Sequence, residues 1–279
     1  MPLKGSKSTN QDLKRSFACC SKLLFKNERS FCMSKITVDI DYIKSNLKSI
    51  GYEISDCVER ENNGVNWQLK FSNSGASVTI YDSNKTNNTV VNGKIDDCEK
   101  TSLKFIIDSL KSKELSINPF NAEVVEIIRS RKEDYYYDFK QIPHGNNEDL
   151  LHDILCLSNN IENKDAYLIL GVSDDFSVVG VDKEWKSNNI FDFLKTQKFA
   201  GDHIPELEVL DMYYKYMRIV VIKCKSSKNV PFYITERYKS VNANQIYTRL
   251  GDTNTPKNKS ANYSDIEKLW RFHFERENE

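Results

Sequence analysis

The sequence lacks the features that identify membrane proteins, ATPases and zinc-binding proteins. No run of about eighteen apolar residues occurs, so no segment predicts a membrane-crossing helix. No Gly-x-x-x-x-Gly-Lys segment occurs, so the phosphate-binding loop of ATPases is missing. There is no Cys-x-x-Cys pair, and the histidines do not stand at ligand-like spacing to the cysteines, which argues against a zinc site.

Neither sign of charge is in excess, because 40 basic residues balance 40 acidic ones. A nucleic-acid partner would therefore have to be bound by a local surface rather than by the field of the whole protein. The cysteines number seven, and an odd count does not fit a complete disulfide framework. It fits a reducing compartment, so we expect a cytoplasmic protein.

The first region, residues 1–33, mixes Lys, Ser, Asn and Cys. It has neither the long apolar core nor the small-residue cleavage site of a secretory signal, and we expect a disordered tail. Met33 immediately precedes the first segment with the pattern of an ordered structure, so it is an alternative start of the chain.

The second region, residues 34–117, predicts a small α+β domain. Apolar residues at helical spacing, such as Ile43 and Leu47, precede three short segments with strand character, and a second helical pattern follows. Its strand–turn–strand pattern at residues 78–81 and 89–94 resembles one repeat of a TATA-binding-protein-like domain. That resemblance implies a substrate-binding unit. An interaction surface, for example in a homodimer, is the alternative.

The third region, residues 118–279, begins at the break Asn118-Pro119 and intermixes helices with hairpins. A helix is predicted at residues 150–157, with Asn146 or Asn147 near its cap, and an apolar strand at 167–172 whose hairpin turn at 174–176 leads into residues 178–181. Such an order predicts a mixed sheet, and the fold class of the chain is therefore α+β.

Several segments of this third region occur in an order that resembles the Schlafen AlbA-like family. They are Glu133, Asp138-Phe139-Lys140, the end of a helix at residues 157–160, the strand and turn at 168–175, Val179-Gly180-Val181, residues 247–256 and the helix at 266–270. The resemblance implies a domain that handles nucleic acid.

Two departures from the family pattern affect the predicted site. The family usually has Glu before Phe-Lys, whereas Asp138 is one methylene shorter. Residues 161–165 replace a pair of glycines, so the backbone of that turn is less able to approach a ligand.

In ribonuclease members of the family, three carboxylates hold a divalent cation. The matching residues are Glu133, Asp138 and Asp174, so the resemblance implies that they are metal ligands and catalytic groups for Mg²⁺ or Mn²⁺. Phosphodiester cleavage needs a hard cation on oxygen ligands to offset the developing charge. Asp and Glu are also ordinary solvated residues of turns and helix ends.

A second set of residues is predicted to contact nucleic acid: Lys140, Arg249, Tyr136, Lys257 and Lys259. The basic side chains would bind phosphates, and Tyr136 would stack on a base. For Arg249 the alternative is an ion pair with a carboxylate such as Asp252 or Asp174. His144, before Gly145, is a weaker candidate for a general base.

Three functions remain open from the sequence. The first is a metal-dependent endoribonuclease that acts on structured RNA such as tRNA. The second is a module that binds DNA or RNA without catalysis. The third is an interaction protein paired with a separate effector in a defence or toxin system.

Overall fold

The structure, a computed structural model, describes residues 38–61, 65–82, 88–181 and 188–275. The predicted disordered tail, residues 1–33, and the alternative start at Met33 lie outside the described residues. The predicted α+β class is confirmed, because helices accompany both an antiparallel and a mixed sheet. None of the described helices is long and apolar enough to cross a membrane.

The chain divides into two compact units. The first runs to Val125 and includes Tyr214–Tyr216, and the second consists of Glu126–Tyr213 and Met217–Glu279. The division falls inside helix α3 (Phe120–Arg129).

The first unit is a four-stranded antiparallel sheet with two helices. Its elements are α1 (Ile40–Ser49), β1 (Ile54–Glu61), β2 (Val65–Phe71), β3 (Ala76–Asp82), β4 (Thr89–Gly93) and α2 (Asp97–Lys111). The strands pair in sequence order. Leu69, Val78 and Ile80 are buried with apolar residues of both helices, as a half-buried sheet requires. Strand β1 was not predicted, because its mainly polar, exposed residues carry no apolar alternation.

The second unit contains a mixed four-stranded sheet. After α3 come β5 (Tyr137–Lys140), α4 (Asn147–Ser158), β6 (Ala166–Leu170), α5 (Asn188–Lys195), a 3₁₀ turn (Ala200–Asp202), β7 (Leu207–Tyr214), β8 (Met217–Cys224), β9 (Arg249–Leu250), β10 (Thr253–Asn254) and α6 (Tyr263–Glu275). The strand order is β5-β6-β8-β7, with β5 parallel and β8 antiparallel to β6. Strands β9 and β10 form a separate two-stranded hairpin.

Helix α4 and strand β6 form the centre of this unit. Every residue of β6 is buried, and so are all residues of α4 from Leu150 to Ser158. Leu151, Ile154 and Leu155 pack in one core with side chains of β6 and β8. Because α4 is buried from Leu150 to its end, the polar residues His152, Asp153 and Ser158 are held inside the domain, whereas those of its first turn are not.

Asn159, directly after α4, fixes two distant segments to the end of this helix. Its side-chain amide donates to the carbonyl oxygens of Phe232 at 2.8 Å and Tyr247 at 2.9 Å, and its Oδ1 accepts from the Phe232 N–H at 2.7 Å. Asn159 is fully buried. The bond to Tyr247 fixes the chain two residues before Arg249.

We predict that Asn159→Ala destabilises the protein by about 2–4 kcal/mol, because three buried backbone groups lose their partner. Urea denaturation followed by circular dichroism measures this change. The matched control is Asn258→Ala at an exposed position, which should change the unfolding free energy by less than about 0.5 kcal/mol. Equal effects of the two substitutions would contradict the role of Asn159.

Candidate functional site

Strand β5 places two charged side chains on one of its faces. Because side chains alternate along a strand, Asp138 and Lys140 point to one side, and Tyr137 and Phe139 to the other. The Lys140 Nζ donates to Asp138 Oδ2 at 2.7 Å. The Asp138 side chain is only 2% exposed, whereas that of Lys140 is 34% exposed. Lys140 therefore links a buried carboxylate to the surface.

Arg249, the first residue of β9, is buried and makes hydrogen bonds through all three of its guanidinium nitrogens. Its Nη2 donates to Glu133 Oε2 at 2.6 Å and to Asp138 Oδ1 at 3.2 Å. Its Nε donates to the Asp134 carbonyl at 2.8 Å, and its Nη1 to Asn254 Oδ1 at 2.9 Å. The guanidinium thus holds together two carboxylates that the sequence analysis had singled out.

Helix α4 contributes a third carboxylate, Asp153. Its Oδ2 lies 2.8 Å from His144 Nε2 and 3.9 Å from Lys140 Nζ. Its Oδ1 accepts from the side-chain amide of Asn254 at 2.8 Å. We call Glu133, Asp138, Lys140, Asp153 and Arg249 the Arg249 cluster. It lies entirely within the second unit.

Burial and neighbouring charges shift the pKa values in this cluster. Burial, together with the neighbouring Asp138, raises the pKa of the Glu133 carboxyl, although the Phe139 N–H and Arg249 oppose this. Burial acts to raise the pKa of Asp153 as well, but the hydrogen bond from His144 and the charge of Lys140 outweigh it and lower that pKa. The pKa of Lys140 is raised, because Asp153 and Asp138 outweigh its burial.

Asp174 lies apart from this cluster, on an exposed turn after β6. The side chain of Asp175, not that of Asp174, closes the turn by accepting hydrogen bonds from Ser173 and Ser177. Phe176 packs on Phe139 with ring centroids 5.7 Å apart. Since Phe139 points to the face of β5 opposite Asp138, this packing holds the turn on the other side of the strand.

The shape of this turn depends on Gly171. Its φ is +98°, and a Cβ built there would lie 3.0 Å from the carbonyl carbon of Gly180. Only glycine accepts this conformation at this approach without strain. The hairpin predicted after β6 is correspondingly reduced to one bridge between Val172 and Val178.

The three predicted metal ligands are thus only partly brought together: Glu133 and Asp138 converge, and Asp174 does not join them. Among the described residues, no three Asp, Glu, His or Cys side chains are grouped so that they could hold a metal ion. The Arg249 guanidinium and the Lys140 ammonium already contact the converging pair. As arranged, these residues do not fit a divalent cation.

The residues predicted to bind nucleic acid differ in exposure. Lys259 is exposed, and Lys257 is 26% exposed and pairs with Asp149 of α4. Tyr136 is half-buried, with the Lys164 Nζ 5.6 Å from its ring centre. Arg249 is not at the surface. Its carboxylate partners are Glu133 and Asp138, rather than the Asp252 or Asp174 considered from the sequence.

Asp153 and Asn254 were missed by the sequence analysis. One signal for Asp153 was present: Asp149 and Asp153 stand four residues apart in a helix that is otherwise largely apolar. Two like charges at this spacing destabilise a helix unless other groups compensate them. Lys257 compensates the first of these carboxylates, and His144 and Lys140 compensate the second. Asn254 carried no signal, because polar residues are usual in turns.

The comparisons with known proteins relate this site to one family. The family model described as Schlafen, AlbA_2 matches residues 133–258, which include all five residues of the Arg249 cluster. A search of the curated proteins gives no match.

We predict that Asp153→Asn destabilises the protein by about 2 kcal/mol near neutral pH, because a buried, charge-assisted hydrogen bond is lost. The folded-state pKa of Asp153 is lowered, so its contribution is present above the ordinary Asp value of about 3.9. It is lost as pH falls through the folded-state pKa. The difference between wild type and variant should therefore shrink below about pH 4.

Urea denaturation at a series of pH values measures this difference. The matched control is Asp192→Asn, which removes an exposed carboxylate from α5 of the same unit. A difference that stays constant into strong acid would show that the Asp153 charge does not act as described.

Proposed function

Because residues 133–258 form a Schlafen AlbA_2 domain, we propose that this protein binds nucleic acid, and specifically structured RNA such as tRNA. The observation that carries the proposal is the Arg249 cluster, a set of charged groups beneath the surface of the matching domain. The cluster reaches solvent at Lys140 and at Glu133, which is 25% exposed.

Stability alone is a weak explanation of this cluster. Removing an ion from water costs several kcal/mol, and apolar residues of similar volume often stabilise a protein as well as a buried ion pair does. Groups with shifted pKa values that cluster near a surface are characteristic of functional sites. A binding role would also explain why charges from β5, α4 and β9 are gathered within the matching region.

The RNA-contacting surface we propose lies around the first turns of α4. Lys140 and Lys257 contact the carboxylates of Asp153 and Asp149 on this helix, and Lys259 follows Lys257 by two residues. Each lysine supplies a positive charge for a phosphate. Tyr136, beside Lys164 and therefore near the C-terminal end of α4, offers a partly exposed ring for stacking at a separate place. With few such contacts, the affinity should depend only modestly on salt.

We predict that replacing both Lys257 and Lys259 with alanine weakens tRNA binding and lowers the slope of log affinity against log salt by about 1–2. Fluorescence anisotropy of labelled tRNA between about 50 and 200 mM salt measures both quantities. The charge-matched control replaces the exposed Lys195 and Lys198. Equal losses in the two double variants would show that general charge, not this surface, governs binding. Single-stranded and duplex DNA probes test the preference for RNA.

Cleavage of structured RNA with Mg²⁺ or Mn²⁺ on Glu133, Asp138 and Asp174 is the second candidate function. The convergence of Glu133 and Asp138 supports it. The position of Asp174 and the contacts of Arg249 weigh against it. A role in a defence or toxin system is the biological context we propose for this second candidate.

We predict that, if cleavage occurs through these carboxylates, Asp174→Asn lowers it by orders of magnitude and leaves RNA affinity unchanged or higher, because one negative charge near phosphate is removed. Incubation of purified protein with total tRNA, in Mn²⁺ or EDTA, followed by gel electrophoresis, measures the cleavage. Asp192→Asn serves again as the control. Wild-type protein that binds RNA but leaves it intact in both conditions would restrict the function to binding.

A further inference from the structure

We infer that the Arg249 guanidinium takes the place of a divalent cation between the Glu133 and Asp138 carboxylates. This site therefore binds RNA with no divalent ion bound between the two carboxylates. The part of this inference that concerns RNA rests on the proposed function. The part that concerns the cation rests on geometry alone.

All four oxygens of the two carboxylates already accept hydrogen bonds from the protein. Glu133 Oε2 accepts from Arg249 at 2.6 Å, and Glu133 Oε1 from the Phe139 N–H at 3.2 Å. Asp138 Oδ1 accepts from Arg249 at 3.2 Å, and Asp138 Oδ2 from Lys140 at 2.7 Å. A Mg²⁺ or Mn²⁺ ion would need these same oxygens at roughly 2.0–2.6 Å and would have to share three of them with cationic donors.

Two cations already contact this pair without a metal. The Arg249 cluster holds three carboxylates, one guanidinium and one ammonium, so a divalent ion would leave one positive charge in excess and would be repelled by both cations. Arg249 cannot relieve this repulsion by losing its proton, because an arginine side chain remains charged in proteins. A metal that entered would therefore lie beside two fixed cations.

Arg249 is not free to turn away from the pair. Its side chain is 2% exposed, and the Asp134 carbonyl and Asn254 Oδ1 hold the two guanidinium nitrogens that do not contact the carboxylates. A guanidinium fixed on both sides stays between Glu133 and Asp138 when a divalent ion is added to the solution.

Substitutions of Arg249 test whether its positive charge keeps a divalent ion out of the pair. Arg249→Met removes the guanidinium and leaves two adjacent carboxylates uncompensated by it, so the variant should gain a site for Mn²⁺. Arg249→Lys keeps one positive charge at the same position and is the matched control. The double variant Arg249→Met with Asp138→Asn should lose the gained site.

The experiment titrates Mn²⁺ alone into the purified full chain and measures bound ion by water-proton relaxation, with no RNA present. We expect that Glu133→Gln or Asp138→Asn leaves the Mn²⁺ binding of the otherwise wild-type protein unchanged. Arg249→Met should bind one Mn²⁺ at least about tenfold more tightly than wild type, a difference of ~1.4 kcal/mol. Arg249→Lys should behave as wild type.

Tight Mn²⁺ binding by wild type that is abolished by Glu133→Gln or Asp138→Asn would overturn the inference. This comparison does not need Arg249→Met, so it decides the question even if that variant fails to fold. A folded Arg249→Met variant without gained binding would also count against it.

Anisotropy of labelled tRNA in EDTA separates this inference from the proposed function. RNA binding in EDTA, with no Mn²⁺ bound at the pair, supports both. Absence of RNA binding in all conditions would reject the proposed function and leave the assignment of the cation intact. RNA binding that requires Mn²⁺ and is lost in Asp138→Asn would reject the metal-free site.

Discussion

A buried guanidinium must be matched by charge, and Arg249 meets this requirement with partners more than a hundred residues away. Its contacts to Glu133 and Asp138 span 116 and 111 positions of the sequence. Loss of one partner from a buried ion pair typically costs about 3–5 kcal/mol, because the other charge is left unmatched. The contacts of Arg249 therefore hold three parts of the chain together: the β9–β10 hairpin, strand β5, and the segment before β5 that carries Glu133 and Asp134. The rest of the site is arranged around this constraint.

The apolar core supplies the rigidity that keeps these charges in register. Helix α4 is buried along almost its whole length, so Asp153 is presented to the cluster from a fixed element. Asn159 then fixes the segment that leads into Arg249.

The balanced charge of the whole chain is consistent with this arrangement, because carboxylates and cations are paired locally. Nucleic acid would be attracted by the lysines at the edge of the cluster and not by a general positive field.

The sequence predicted most of the elements that build the second unit. Helix α4 and the apolar strand β6 follow from periodicity, and a cap at Asn146 or Asn147 follows from residue type, all of which are local signals. The structure has the cap at Asn146. The hairpin after β6 was predicted at the right place but with too much regular structure, because alternation cannot show that Phe176 will pack on Phe139. Asp174 was selected by its place in a family pattern, and nothing in the spacing of residues reports the face of β5 on which its turn will lie.

By itself, the sequence determined the α+β class, the order of most of the elements, the resemblance to the family and the residue types available for chemistry, since these depend on local pattern and on linear order. The tertiary structure decided which charges meet. Arg249 has the same local sequence whether it contacts a phosphate at the surface or two carboxylates in the interior. Only the fold, which brings this side chain beside Glu133, Asp134 and Asp138, determines its burial. Burial then decides whether a guanidinium serves as a ligand for RNA or as the cation of a buried pair.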